Sequence, residues 1–139
     1  MDTYLETVDS TLSVISELMS GFDIKPSDSR DPLVFAGVVQ SDMLDEITTV
    51  VESYFGKAYK PAGKSAFFRN YTDQFVRDIG GIRKEQTVFR KAITDTLDCY
   101  CAFWPWGSDP VNTTVRIGVL CDCGEIGTLI YPLIMKNVH

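Results

Sequence analysis

Cys99 to Gly124 reads CYCAFWPWGSDPVNTTVRIGVLCDCG, and the period of this stretch sets the architecture. Leu97, Cys99, Cys101 and Phe103 alternate with Asp98, Tyr100 and Ala102, while Val115, Ile117, Val119 and Cys121 alternate with Thr114, Arg116 and Gly118. A period of two sends successive side chains to opposite faces of a sheet. The stretch therefore predicts two antiparallel strands joined by the loop WPWGSDPVN.

All four cysteines lie here as two C-x-C pairs, and the hairpin tests whether they can share a metal. With the loop centre near Ser108, Cys99 faces Ile117, Cys101 faces Val115 and Cys121 faces Asp95, four strand residues from Cys99. At 3.3 Å per residue the pairs stand roughly 13 Å apart, whereas zinc needs its sulfurs about 2.3 Å from one ion. Extended C-x-C also lacks the knuckle that longer spacings supply. Cys99, Cys101 and Cys121 are accordingly read as small apolar core residues, and no cofactor is expected. The alternative keeps Cys99, Cys101, Cys121 and Cys123 as metal or redox ligands in a different fold, with Cys123 in a turn.

Upstream of the hairpin the period is helical. Leu5, Val8, Leu12, Ile15, Met19 and Phe22 form one stripe, with Thr3 and Glu6 fitting a capping box and Gly21 a stop. The spacing suits a core-facing helix or a short intermolecular seam. The polar KPSDSRDP is a connection, and LVFAGVVQ from Leu33 to Gln40 is a strand apolar on both faces, hence central. Ser41 or Asp42 caps a second helix on Met43, Leu44, Ile47, Val50, Val51, Tyr54 and Phe55, ending at Gly56. A third is expected from Ser65 to Ile79, stopped by Gly80 and Gly81, and a fourth from Arg83 to Thr94 on Val88, Phe89, Ala92 and Ile93. Ile126 to Met135 reads as a last strand, at an edge or a bulge because Pro132 has no N–H to donate.

The sum is an α+β fold in one domain, residues 1–139, in the order α-β-α-α-α-β-β-β. It combines an antiparallel C-terminal meander and one N-terminal strand with helices packed on one face. The 139 residues, 45% hydrophobic and 23% charged, suit one folded core. No apolar run approaches the roughly 18 residues of a membrane span, so no membrane is expected as a partner. The opening MDTYLETVDS lacks the basic start and apolar block of a secretory signal, and a cytoplasmic setting is expected, where thiols stay reduced.

Several function classes are excluded or disfavoured by content. The only histidine is His139, so no histidine-based triad or two-histidine metal site can be built in the body of the domain. No G-x-G-x-x-G, Walker loop, G-x-S-x-G or H-E-x-x-H occurs. A net charge of −6 and a pI near 4.6 disfavour nucleic acid. Charge is uneven, however: Lys57 to Lys91 holds nine Lys or Arg against Asp73, Asp78 and Glu85. Lys57, Lys60, Lys64 and Arg69 in this segment are expected either to solvate a helix face or to meet a small anionic ligand or an acidic protein. Trp104 and Trp106 flank a proline in the hairpin loop, where they either lid the core or form a contact surface. The reading that follows is a non-catalytic cytoplasmic binding or regulatory module acting through protein–protein contacts, as a homodimer. The alternative is a small-ligand or metal-binding protein using the four thiols.

Overall fold

The computed structural model describes residues 3–64, 73–121 and 124–138. Its elements are α1 (Thr3–Leu12), α2 (Val14–Gly21), β1 (Lys25–Ser27), β2 (Val34–Gln40), a 3-10 turn (Ser41–Met43) and α3 (Leu44–Phe55). They continue as α4 (Gln74–Asp78), β3 (Thr87–Thr94), β4 (Leu97–Pro105), β5 (Asn112–Cys121) and α5 (Gly124–Val138). The strands form one antiparallel sheet in the order β1-β2-β5-β4-β3. This is the α+β domain with a C-terminal meander that the alternating stretch requires, and β2 is central as its two apolar faces demand.

Odd-numbered residues of β2, β4 and β5 share one face: Phe35 pairs with Ile117, and Ile117 with Cys101. Phe89 of β3 joins them opposite Cys101. Helices α1, α2, α3 and α5 supply Leu12, Ile15, Leu18, Ile47, Val51, Ile130 and Ile134 against that face, all buried. Leu12 and Ile15 are fully buried within the single chain, so the first stripe is core. Val14 and Leu18 widen it beyond a two-position seam. At roughly 25 cal/mol per Å2 of apolar surface removed from water, this layer dominates the stability of the domain.

Two elements take the other secondary structure from the one their sequence predicts. Arg83 to Thr94 was expected as a helix, but Thr87–Thr94 is an edge strand. Its apolar residues at 88 and 89 satisfy a helical stripe and a two-faced strand equally well. The β-branched Thr87, Val88, Ile93 and Thr94 and the two-residue turn at Asp95 and Thr96 favour pairing with β4. Ile126 to Met135 was expected as a strand, but Gly124–Val138 is helical, with Ile130, Ile134 and Asn137 buried at i, i+4 and i+7. Pro132 lies inside this helix and forgoes the hydrogen bond to the carbonyl four residues back. Burial of the isoleucines on both sides outweighs that loss. Of the third helix, Gln74–Asp78 is seen as α4, while residues 65–72 lie outside the described residues. The connection read as KPSDSRDP contributes the short strand β1.

The second face of the sheet carries a different cover. Val34, Val88, Tyr100 and Ala102 meet Phe75, Val76, Ile79 and Ile82, from α4 and the chain just after it. Gly80 and Gly81 both have positive φ, at 95° and 84°, the conformation that only glycine adopts without strain. It lets Gly81 N donate to Val76 O at 2.8 Å and turn the chain back along the sheet. This short segment covers much less of the sheet than the four helices opposite.

Candidate functional site

Cys99 and Cys101 are buried in the core, and Cys121 is partly buried against it. Cys99 and Cys101 have no exposed surface, and burial pushes the Cys99 thiol up to about 12 and the Cys101 thiol up as well. Burial thus favours the neutral thiol over the thiolate that acts as a nucleophile. The hairpin register is two residues from the one predicted: Cys99 faces Val119, Cys101 faces Ile117, and Cys121 faces Leu97. The cause is the loop. Asp109 N donates to Trp106 O at 3.2 Å, Asn112 N to Asp109 O at 3.1 Å, and Asn112 Nδ2 to Asp109 Oδ2 at 2.9 Å, centring the turn on Asp109. A shift of two keeps every residue on its face and brings Cys121 diagonal to Cys99, at about 7–8 Å between Cα atoms. None of the three is in a disulfide, and among the described residues no group of three His, Cys, Asp or Glu is arranged to hold a metal ion. Cys123 lies outside the described residues.

The basic segment does not form one surface. Lys57 and Lys64 are exposed, and Arg69 lies outside the described residues. Lys60, expected on the same surface, is 2% exposed. Its Nζ donates to the carbonyls of Arg83, Lys84 and Gln86 at 2.8, 2.6 and 2.6 Å. Its backbone exchanges two hydrogen bonds with Val88, at 3.1 and 3.0 Å. Lys60 therefore closes the turn before β3 and covers part of that edge. Its cation is spent inside the fold.

The tryptophans lead to a different grouping. Trp104 and Trp106 are both even-numbered and lie on the second face, in line with Thr114, Arg116 and Tyr100. Trp106 is 40% exposed. Its indole N–H donates to Thr114 Oγ1 at 2.9 Å and its backbone N–H to Asn112 O at 3.0 Å, so the ring is held while its face meets solvent. Val111, 65% exposed, lies on the same hairpin end. The Arg116 guanidinium carbon stands 4.4 Å from the Trp104 ring centroid, a stacked cation–π contact. Trp104 Nε1 and Arg116 Nε are buried without a hydrogen-bond partner among the described residues. Buried polar atoms of this kind are rare because each costs roughly 1–3 kcal/mol.

The neighbouring arginine is fully engaged. Arg90 Nε pairs with Asp98 at 3.0 Å, and its guanidinium lies 4.7 Å from the Phe75 ring and 5.5 Å from the Tyr59 ring. Tyr59 in turn donates to Asp73. Arg116 makes no ion pair among the described residues. Two cavities flank Ile79 on this face: one of about 560 Å3 reaches Trp104, Gln86 and Arg83. The other, about 350 Å3, reaches Tyr100, Arg116 and Leu120. A third, about 450 Å3, lies between the connection after β1 and Tyr131 and Met135 of α5. Sequence reasoning singled out the tryptophans but missed Arg116 and Tyr100. The available signal was an arginine in mid-strand on the face opposite the cysteines.

Comparison with known proteins finds no matching family, no similar curated protein and no similar solved structure.

Proposed function

We propose that this chain is a non-catalytic cytoplasmic binding module whose protein–protein contact is made by the Trp106 end of the second sheet face, with a second copy as the partner. The observation that carries the reading is Trp106 itself, exposed and yet held by Thr114 and Asn112. A large aromatic with its polar atom already satisfied loses little entropy on docking. Tryptophan and arginine are also the residue types most enriched at interface hot spots. Val111 extends the apolar patch, and a two-fold contact would bring the same patch of each copy together. Burial disfavours ionisation of Cys99 and Cys101, which supports a non-catalytic role. Cys99 and Cys101 are in no disulfide, which fits the cytoplasm.

The test is sedimentation of the wild type and Trp106→Ala across a dilution series, with urea unfolding of both. A reversible wild-type dimer that becomes monomeric in W106A, with the fold retained, supports the reading. A wild type that stays monomeric throughout, or a dimer untouched by W106A, overturns it.

A further inference from the structure

The 350 Å3 cavity on the second face has a floor and a rim of opposite character. The floor is Tyr100 and Arg116, from adjacent central strands. Tyr100 is 4% exposed, lines the cavity, and has no side-chain hydrogen bond among the described residues. Arg116 has a buried Nε without an acceptor and no ion pair among the described residues. Its flat face is occupied by Trp104, which leaves the in-plane N–H groups for a ligand. A planar guanidinium presents these in the geometry that a carboxylate accepts in pairs. Burial pushes the Tyr100 hydroxyl up to about 12, so it stays protonated and can donate to the same anion.

The rim carries exposed Asp28, Asp31 and Asp78, with Arg30 among them. Asp31 Oδ1 accepts from Leu33 N at 2.9 Å and Asp78 Oδ1 from Gln74 Nε2 at 2.5 Å. Each retains a second oxygen. Three carboxylates at the mouth oppose a dianion such as phosphate and favour a cation beside the buried anion site. Val34, Ile79 and Leu120 add an apolar wall. A volume of about 350 Å3 equals that of about a dozen waters.

We infer that this cavity binds a small apolar α-amino acid, its carboxylate on Arg116 and Tyr100, its ammonium at the aspartate rim and its side chain against Leu120 and Ile79. The site is separate from the Trp106 contact, so either can fail without the other.

The experiment is calorimetric titration of the full chain with L-leucine, with 4-methylpentanoate, which lacks the amine, and with 3-methylbutylamine, which lacks the carboxylate. Leucine is expected to bind about tenfold or more tighter than either half-ligand. Arg116→Gln should weaken leucine by about tenfold or more and Tyr100→Phe by a smaller factor, since the guanidinium supplies a charge and paired donors where the phenol supplies one neutral donor. Asp31→Asn should reduce the advantage of leucine over 4-methylpentanoate, and Trp106→Ala should leave leucine binding unchanged. If R116Q fails to fold, Y100F and D31N decide. No leucine binding in the millimolar range, equal binding of leucine and 4-methylpentanoate, or leucine binding unmoved by these substitutions would overturn the inference.

Discussion

Replacing Lys60 with methionine keeps the apolar stem and removes the ammonium, so it isolates the contribution of one buried cation. Three carbonyls, those of Arg83, Lys84 and Gln86, lose their donor. Hydrogen bonds to a charged group are worth about 1.5–3 kcal/mol each, a gross loss of about 5–9 kcal/mol. Part of that is returned, because burying an ammonium costs several kcal/mol that methionine does not incur. The expected net cost is about 2–4 kcal/mol, or about 6–16 °C in melting temperature for a chain of this length. The backbone pairing of residue 60 with Val88 survives the change, which confines the effect to the side chain.

Urea unfolding of wild type and Lys60→Met, with exposed Lys57→Gln and Lys64→Gln as controls, measures this directly. Desolvation holds the Lys60 ammonium below its ordinary pKa of 10.5, and Glu85 only partly opposes it. The unfolded chain thus binds the proton more tightly than the folded one. The associated stability is present above 10.5 and lost as pH falls through the folded pKa. The gap between wild type and K60M should therefore widen as pH rises from neutrality toward 10.5. A K60M variant within about 0.5 kcal/mol of wild type, the range of ordinary surface substitutions, would refute the assignment of Lys60 as the clasp of this turn.

Two further outcomes follow from the packing. Under native conditions Cys99 and Cys101 should resist thiol reagents and react only on unfolding, since both are buried and protonated; bound zinc with all four thiols protected would instead support the metal-ligand alternative. Gly118→Ala should cost about 1–3 kcal/mol by overpacking, because a Cβ there would sit 2.8 Å from Val34 Cγ2, 2.9 Å from Leu33 O and 3.2 Å from Tyr100 Cε1. Gly107→Ala, with nothing within 4 Å, should be nearly neutral in the same urea titration.

Where a side-chain period was unambiguous, the sequence was sufficient. Strands β4 and β5 and the faces of their residues follow from strict alternation, and α3 from a wide stripe closed by Gly56. Where a period was shared, it was not. Val88 and Phe89 bury one residue on each face of a strand, which a helical stripe imitates over so short a window. In α5 the β-branched residues and Pro132 argue locally for an edge strand, while burial of Ile130 and Ile134 against the sheet holds the helix. That packing is long-range and has no local signature.

The candidate site was obscured by the same difference between local and long-range information. Clustering of charge along the chain pointed to residues 57–91, yet Lys60 from that cluster is used up on three carbonyls and Arg90 on Asp98 and two aromatic rings. Arg116, on the second face and without an ion pair among the described residues, comes from outside the cluster. Its alternation pattern placed it on the face away from the cysteines, which reads as solvent-facing when nothing is known to cover that face. Ile79, packed over the sheet with α4, and the connection at residues 28–31 together make Arg116 part of a cavity wall. Local sequence determined which face Arg116 occupies; packing against Ile79, 37 positions earlier, determined what lies beside it there.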